Sequence, residues 1–133
     1  MFSYEDDGYQ KKLKTIEEKR KFIEYYFWHI EDTNFVRSLN RFKEKKGFGT
    51  EYVRILFHAD FDGWEEYMCN EGEVALIMDY PAAEEDMIGY LDFEQFYIFL
   101  LEYSEKYIEK YPEQEVEVGK LLREIKDSFN IGK

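Results

Sequence analysis

Two histidines and a dense set of carboxylates are the side chains of this sequence that could support catalysis. His58 and Asp60 stand two residues apart and could form an acid–base pair. The sequence contains no phosphate-binding loop, dinucleotide-binding fingerprint or oxyanion-hole signature to accompany such a pair. His29 lies in a helical aromatic stretch, outside any paired metal-ligand spacing. The pattern therefore predicts structural roles for both histidines and no catalytic residue.

The run Asp60, Asp62 and Gly63 resembles part of a calcium-binding loop. In the register of an EF-hand, His58 would occupy the first ligand position and Cys69 the twelfth. Neither residue supplies the carboxylate that those positions require, so the match fails. A looser cation site among the carboxylates is the minor alternative. We predict no metal site and no cofactor.

The acidic residues are unevenly distributed along the chain. Thirty Asp and Glu against 18 Lys and Arg give a formal net charge of -12. Residues 55–105 contain 14 of these acids and no Lys or Arg, whereas the rest of the chain has 16 acids and 18 bases. Such a chain should be repelled by nucleic acid and by anionic membranes, and attracted to a basic protein. The alternative is that distant Lys and Arg residues fold back and neutralise the block.

Loop residues of this acidic block are the candidates for contact with a partner. Paired carboxylates such as Glu65 and Glu66 are too frequent here to indicate glycosidase chemistry. Trp and Tyr dominate interface hot spots, and Trp64 lies between acidic neighbours in a polar loop. We predict an exposed anchor at Trp64, with a place on the small core as the alternative. The predicted partner-binding residues are Asp60, Asp62, Trp64, Glu65, Glu66, Glu84, Glu85 and Asp86.

Helical spacing of apolar residues predicts four helices. The first begins near Ile16, and the second is capped by Asp32 or Thr33. The short link between these two helices predicts an antiparallel helical hairpin. Asp92 begins a capping box for the third helix, and Pro112 suits the first turn of the fourth.

Alternating or continuous apolar runs predict strands at residues 53–57, 74–78 and 87–91, of which the last two form an antiparallel hairpin. Residues 47–50 are predicted to form a turn and residues 60–72 a polar loop. The order of these elements implies an α+β fold. We expect a small antiparallel sheet of about three strands, packed against an N-terminal and a C-terminal helix pair.

Length and composition predict a single domain over residues 1–133, with a flexible segment at residues 1–10. Cys69 is the one cysteine, which excludes an intramolecular disulfide and favours a reducing compartment. Residues 1–10 lack a basic and apolar leader, and no apolar run is long enough to span a bilayer. We therefore expect a cytoplasmic protein.

Several segments resemble immunity proteins from bacterial contact-dependent growth inhibition (CDI) systems. They are GFGTEY at 47–52, DGWEE at 62–66 and LDFEQFY at 91–97, with EKYIEKYPE at 105–113 and LLREIK at 121–126 resembling the family's C-terminal helix pair. The resemblance runs from about Ile16 to the end of the chain. Its nearest branch is paired with ribonuclease toxins, which implies a cytoplasmic protein that binds the toxin domain and blocks RNA cleavage.

The charge pattern and the resemblance lead to one expectation and two alternatives. We expect a non-enzymatic immunity protein that occludes the basic RNA-binding or active-site cleft of a cognate CDI ribonuclease toxin domain. It would contact neither nucleic acid nor membrane. The alternatives are an acidic protein–protein interaction adaptor unrelated to toxins, and a small hydrolase that uses His58.

Overall fold

Five strands and four α-helices make up the described part of the chain, which is residues 11–63 and 65–132 of a computed structural model. The segment expected to be flexible, residues 1–10, lies outside this part. Three single-turn 3-10 helices lie at Asp32–Asn34, His58–Asp60 and Pro112–Gln114. The main elements are β1 (Lys11–Leu13), α1 (Ile16–Ile30), α2 (Phe35–Lys43), β2 (Phe48–Gly49), β3 (Val53–Phe57), β4 (Glu73–Met78), β5 (Met87–Asp92), α3 (Phe93–Lys110) and α4 (Glu115–Ser128).

The strands form one mixed sheet in the order β1-β5-β4-β3-β2. The three predicted strands are its antiparallel centre, as expected. The expectation of an antiparallel sheet of about three strands is nevertheless wrong, because β2 extends one edge and β1 pairs in parallel with β5 at the other. These two edge strands have two and three residues, too few for a two-residue alternation to become visible in sequence.

The two faces of the sheet are covered differently. On the inner face, Val53, Ile55 and Phe57 of β3 point into the main core beneath the helices. On the outer face, a smaller cluster forms around Ala75 and Ile77 of β4. Because β4 is apolar on both faces, all of its residues from 74 to 78 are buried, as its continuous apolar run predicts. The fold is thus α+β, with the helices on the inner face.

Helix α2 packs most extensively against α4, and α3 also packs against α4. The expected N-terminal pair, α1 and α2, packs less extensively, although Phe27 of α1 lies 5.4 Å from Phe35 of α2 between ring centroids. The buried stripe of α2 also meets α3: Phe35 lies 4.5 Å from Tyr107 and Phe42 lies 5.3 Å from Phe96 between ring centroids. Aromatic residues thus connect α2 to both α1 and α3, so the two expected helix pairs form one helical layer.

Asp32 connects the α1–α2 link to the C-terminal part of α3. Its carboxylate accepts hydrogen bonds from the Lys110 ammonium (2.7 Å), the Tyr111 hydroxyl (3.0 Å) and the Tyr103 hydroxyl (3.3 Å). The bond from Lys110 is the main reason why the pKa of Asp32 is lowered. The prediction that Asp32 or Thr33 caps α2 is wrong, because neither side chain makes a capping hydrogen bond there.

Asp32→Asn should lower the free energy of unfolding by about 1 kcal/mol at pH 7, because Lys110 loses its charged partner while remaining largely exposed to water. A lowered folded-state pKa adds stability above the ordinary carboxyl pKa, and this stability is lost as pH falls through the lowered value. The difference between variant and wild type should therefore shrink below about pH 4. Urea unfolding at pH 7 and pH 3 measures it, with Glu109→Gln as the control. A pH-independent difference would contradict the assignment.

Ser104 of α3 is 1% exposed, and its hydroxyl has no hydrogen-bond partner among the described residues. Removing an unsatisfied buried hydroxyl removes a desolvation cost, and Ala also favours the helix. Ser104→Ala should therefore raise the free energy of unfolding by about 1 kcal/mol.

The matched control is Ser38→Ala in α2. Ser38 is also fully buried, but its hydroxyl donates to the Phe35 carbonyl at 2.6 Å, so its removal should give no such gain. Chemical denaturation of both variants measures the two effects. A loss of stability in Ser104→Ala would mean that this hydroxyl does have a partner in solution.

Candidate functional site

The predicted contact residues fall into two groups at opposite ends of the central strands. One group lies in the β3–β4 connection, residues 58–72, and the other in the β4–β5 loop, residues 79–86. Strands β4 and β5 each have six residues, so the two groups are separated by about 20 Å. The first group contains Asp60, Asp62, Glu65 and Glu66, and the second contains Glu84, Glu85 and Asp86. Trp64 lies outside the described residues.

The β3–β4 connection is folded onto the outer face of the sheet. The Tyr90 hydroxyl donates to the Tyr67 carbonyl at 2.8 Å, which ties the connection to β5. The Cys69 side chain is 2% exposed and packs in the outer cluster. Burial raises the pKa of the Cys69 thiol to about 11. The acidic residues of the connection are therefore held on a fixed support.

His58 is part of this support. Its Nδ1 lies 2.9 Å from the Cys69 carbonyl oxygen. A carbonyl oxygen only accepts, so Nδ1 carries the hydrogen in this bond. The Asp60 carboxylate is bonded elsewhere, to the backbone N–H groups of Gly47 (2.8 Å) and Phe57 (2.7 Å). Both members of the conceivable acid–base pair are thus bonded to backbone groups.

Asp60 also explains the glycine at position 47. A Cβ atom at Gly47 would lie 2.5 Å from the Ile55 carbonyl oxygen and 2.9 Å from an Asp60 carboxylate oxygen. Only glycine permits this close approach of the α2–β2 turn to β3. The hydrogen bond from Gly47 to Asp60 therefore fixes the turn before β2 to the start of the β3–β4 connection.

The other acidic candidates divide into two types. Glu65 accepts a hydrogen bond from the backbone N–H of Asp62 at 2.6 Å, so it stabilises its own turn. Asp86 does the same in the β4–β5 loop, where it accepts from the backbone N–H of Tyr80 at 2.8 Å. The second type is exposed, and its carboxylates accept no hydrogen bond from a backbone N–H among the described contacts. Its members are Asp62, Glu66, Glu84 and Glu85.

Only a small part of the acidic block is neutralised by bases from outside it. Among the described residues, two salt bridges reach the block: Arg54 binds Asp79 at 3.0 Å and Arg20 binds Glu102 at 2.6 Å. None of the seven described acidic candidates takes part in a salt bridge between described residues. Both loops therefore present negative charge to the solvent.

Trp28 of α1 is an exposed aromatic residue that the sequence analysis missed. Its side chain is 69% exposed, although tryptophan is highly buried on average. The helical pattern contained a signal, because Ile23, Phe27 and Ile30 form the buried stripe and Trp28 falls beside it. Tyr80 in the β4–β5 loop is also highly exposed. Among the described residues, exposed aromatic side chains therefore lie on α1, before β3 and in the β4–β5 loop.

Within residues 11–63 and 65–132, no group of three or more His, Cys, Asp and Glu side chains could hold a metal ion. The helices of that part of the chain are all too short or too polar to cross a bilayer.

Within the β3–β4 connection, two neighbouring aspartates should differ in their effect on stability. Asp60→Ala should lower the free energy of unfolding by about 1–3 kcal/mol, because it leaves the N–H groups of Gly47 and Phe57 without their acceptor. Asp62→Ala, at an exposed side chain, should change it by less than about 0.5 kcal/mol. Thermal and urea unfolding of the two variants provide the comparison. Equal stabilities would mean that the Asp60 bonds contribute nothing to folding.

Comparison with known proteins gives one match. A family model described as CDI immunity protein matches residues 19–122, from the first turn of α1 into α4. No curated protein and no solved structure gives a significant match.

Proposed function

The chain belongs to the CDI immunity protein family, and from this premise we propose that it binds and neutralises a cognate CDI ribonuclease toxin domain. The inhibition is stoichiometric, and the immunity protein performs no chemistry. Family membership supports the immunity role, and the resemblance to the branch paired with ribonuclease toxins supports the nature of the toxin. Because such a toxin cleaves RNA inside the target cell, the complex forms in the cytoplasm.

The observation that carries this proposal is the charge of the two loops. Nine acidic residues lie there, and among the described residues only Asp79 is bound in a salt bridge, with Arg54. The cleft in which a ribonuclease binds its substrate must be positively charged, because RNA is a polyanion. Complementary charge would steer the two proteins together at rates of about 10⁸ to 10⁹ M⁻¹s⁻¹. The acidic loops thus compete with RNA for one basic surface.

The spacing of the loops fits a single interface. A standard interface buries about 800 Å² on each partner, which corresponds to a patch about 30 Å across. The two loops are about 20 Å apart, so a single toxin domain can contact both. This contact covers the basic cleft or excludes the substrate from it.

The acidic candidates have different roles in this interface. Asp62, Glu66, Glu84 and Glu85 contact the toxin directly, and Trp64 is the apolar anchor of the β3–β4 connection. Asp60, Glu65 and Asp86 hold the loops in shape, because each accepts hydrogen bonds from backbone N–H groups. No observation favours the hydrolase alternative, since His58 and Asp60 are both bonded to the backbone.

The direct test is co-expression and purification with the candidate toxin domain encoded next to the chain. We expect a one-to-one complex that stops RNA cleavage, with binding that weakens as salt is raised. Absence of binding would refute the neutralisation proposal. Binding and inhibition of a toxin that cleaves DNA, but not RNA, would retain the immunity role and refute the ribonuclease assignment.

Charge reversal tests the loops themselves. Glu84→Lys/Glu85→Lys and Asp62→Lys/Glu66→Lys should each lower the association rate with the toxin at least about tenfold at low salt. The matched control is Glu44→Lys/Glu117→Lys, which makes the same change of charge at exposed positions outside the acidic block. Stopped-flow binding measures all three variants. Equal rates in the control and loop variants would mean that only net charge matters.

A further inference from the structure

A surface cleft of about 600 Å³ opens between the C-terminal halves of α1 and α3. Trp28 forms one wall, and Glu24 and Glu31 lie beside it. Asp32 and Lys110 close the cleft toward α3. No residue of this cleft belongs to the two acidic loops, so the cleft is a separate feature of the surface.

Trp28 gives the cleft an open aromatic surface. Its ring centroid lies 5.4 Å from that of Tyr25, and Tyr25 in turn stacks on His29 at 5.8 Å. This support holds the indole while leaving 69% of the residue exposed to solvent. Such an exposed and supported indole is suited to contact with a cation, because the ring face is electron-rich.

The charges of the cleft favour a cationic occupant. Asp32 is paired with Lys110 at 2.7 Å, so these two charges compensate each other. Glu24 and Glu31 are exposed and take part in no salt bridge between described residues. The cleft therefore combines a net negative charge with an aromatic wall. A Lys or Arg side chain complements both.

The backbone at Glu31 is strained. Its φ of 70° with ψ of 157° lies in a region that is almost restricted to glycine. Glycine adopts this conformation without strain, so the stability of the fold does not require a glutamate at this position. With glutamate at this position, a carboxylate instead lines the cleft.

Hydrogen bonds connect the cleft to the β4–β5 loop through the turn between β2 and β3. His29 Nε2 lies 2.9 Å from the Thr50 hydroxyl in the turn between β2 and β3. Two residues later, the Tyr52 carbonyl accepts a hydrogen bond from the Asp79 backbone N–H at 2.7 Å, at the start of the β4–β5 loop. Tyr52 and Tyr80 are both exposed along this route. One partner can therefore contact the β4–β5 loop and the cleft together.

We propose that the Trp28 cleft receives a Lys or Arg side chain of the toxin domain, with the cation against the indole and between Glu24 and Glu31. This inference rests on the proposed function. It places the strongest contact of the interface in the helical layer, beyond the acidic loops. Trp28 then acts as a hot spot, and the β4–β5 loop provides the adjoining charged rim.

Substitution of Trp28 tests the inference in the full-length protein. Trp28→Ala should weaken toxin binding at least about tenfold, mainly through faster dissociation, and Trp28→Phe should restore part of the affinity. Val116→Ala, at an 83% exposed apolar residue of α4, is the matched control and should bind as the wild type does. Wild-type affinity in Trp28→Ala would overturn the inference.

Glu31 provides a second test that separates binding from folding. Glu31→Gly should shift the urea midpoint of unfolding upward, because glycine relieves the positive φ, and should weaken binding by at least about fivefold. Glu31→Gln removes only the charge, so it should weaken binding to a similar extent without the upward shift. Unchanged affinity in both variants would exclude a contact at this residue.

Fluorine NMR shows whether the indole is covered. The chain has two tryptophans, so 5-fluorotryptophan labelling gives two signals, and Trp28→Phe assigns one of them. The Trp28 signal should shift when unlabelled toxin domain is added. If the complex forms and inhibits RNA cleavage while this signal stays unchanged, binding at the Trp28 cleft is refuted and the immunity role is retained. Failure of the wild type to bind the toxin would refute the proposed function itself.

Discussion

The packing of phenylalanine rings between the helices and the inner face of the sheet is the interaction on which the other features depend. Phe57 lies at the end of β3. Its ring centroid is 5.9 Å from that of Phe42 in α2 and 5.9 Å from that of Phe129, which follows α4. Phe96 of α3 completes this cluster at 6.3 Å from Phe57. The residue after Phe57, His58, begins the β3–β4 connection. The core therefore fixes the place from which this acidic connection starts.

The outer face of the sheet combines structural and displayed residues within short segments. Apolar side chains of the β3–β4 connection, such as Phe61 and Tyr67, pack against β4 and β5. Carboxylates of the same connection either bind backbone N–H groups or face the solvent. The exposed negative charge costs self-repulsion, which a basic partner would relieve. The segment that covers the outer face of the sheet is therefore also part of the proposed docking surface.

Much of the fold could be predicted from periodicity, because α3, α4 and the three central strands each present a regular apolar pattern. The edge strands could not, since β1 owes its parallel pairing to a contact between segments more than 70 residues apart. The role of Asp32 was equally inaccessible, because its partners lie on α3 and at the C-cap of that helix, more than 70 residues away. The two acidic loops could be predicted by counting charges along the sequence. Which of their carboxylates bind backbone N–H groups and which are exposed depends on the folded structure. Trp28 was overlooked because only the buried stripe of α1 was considered.

The buried thiol of Cys69 gives the β3–β4 connection a built-in reporter. Because burial raises the pKa of this thiol to about 11, very little of the reactive thiolate is present at pH 7. Oxidants and alkylating reagents therefore meet an almost inert sulfur while the connection stays closed over the sheet. Opening of the connection would return the thiol to its ordinary acidity. The rate at which a thiol reagent labels Cys69 thus reports how often the connection opens. A bound partner that holds the connection closed would lower this rate.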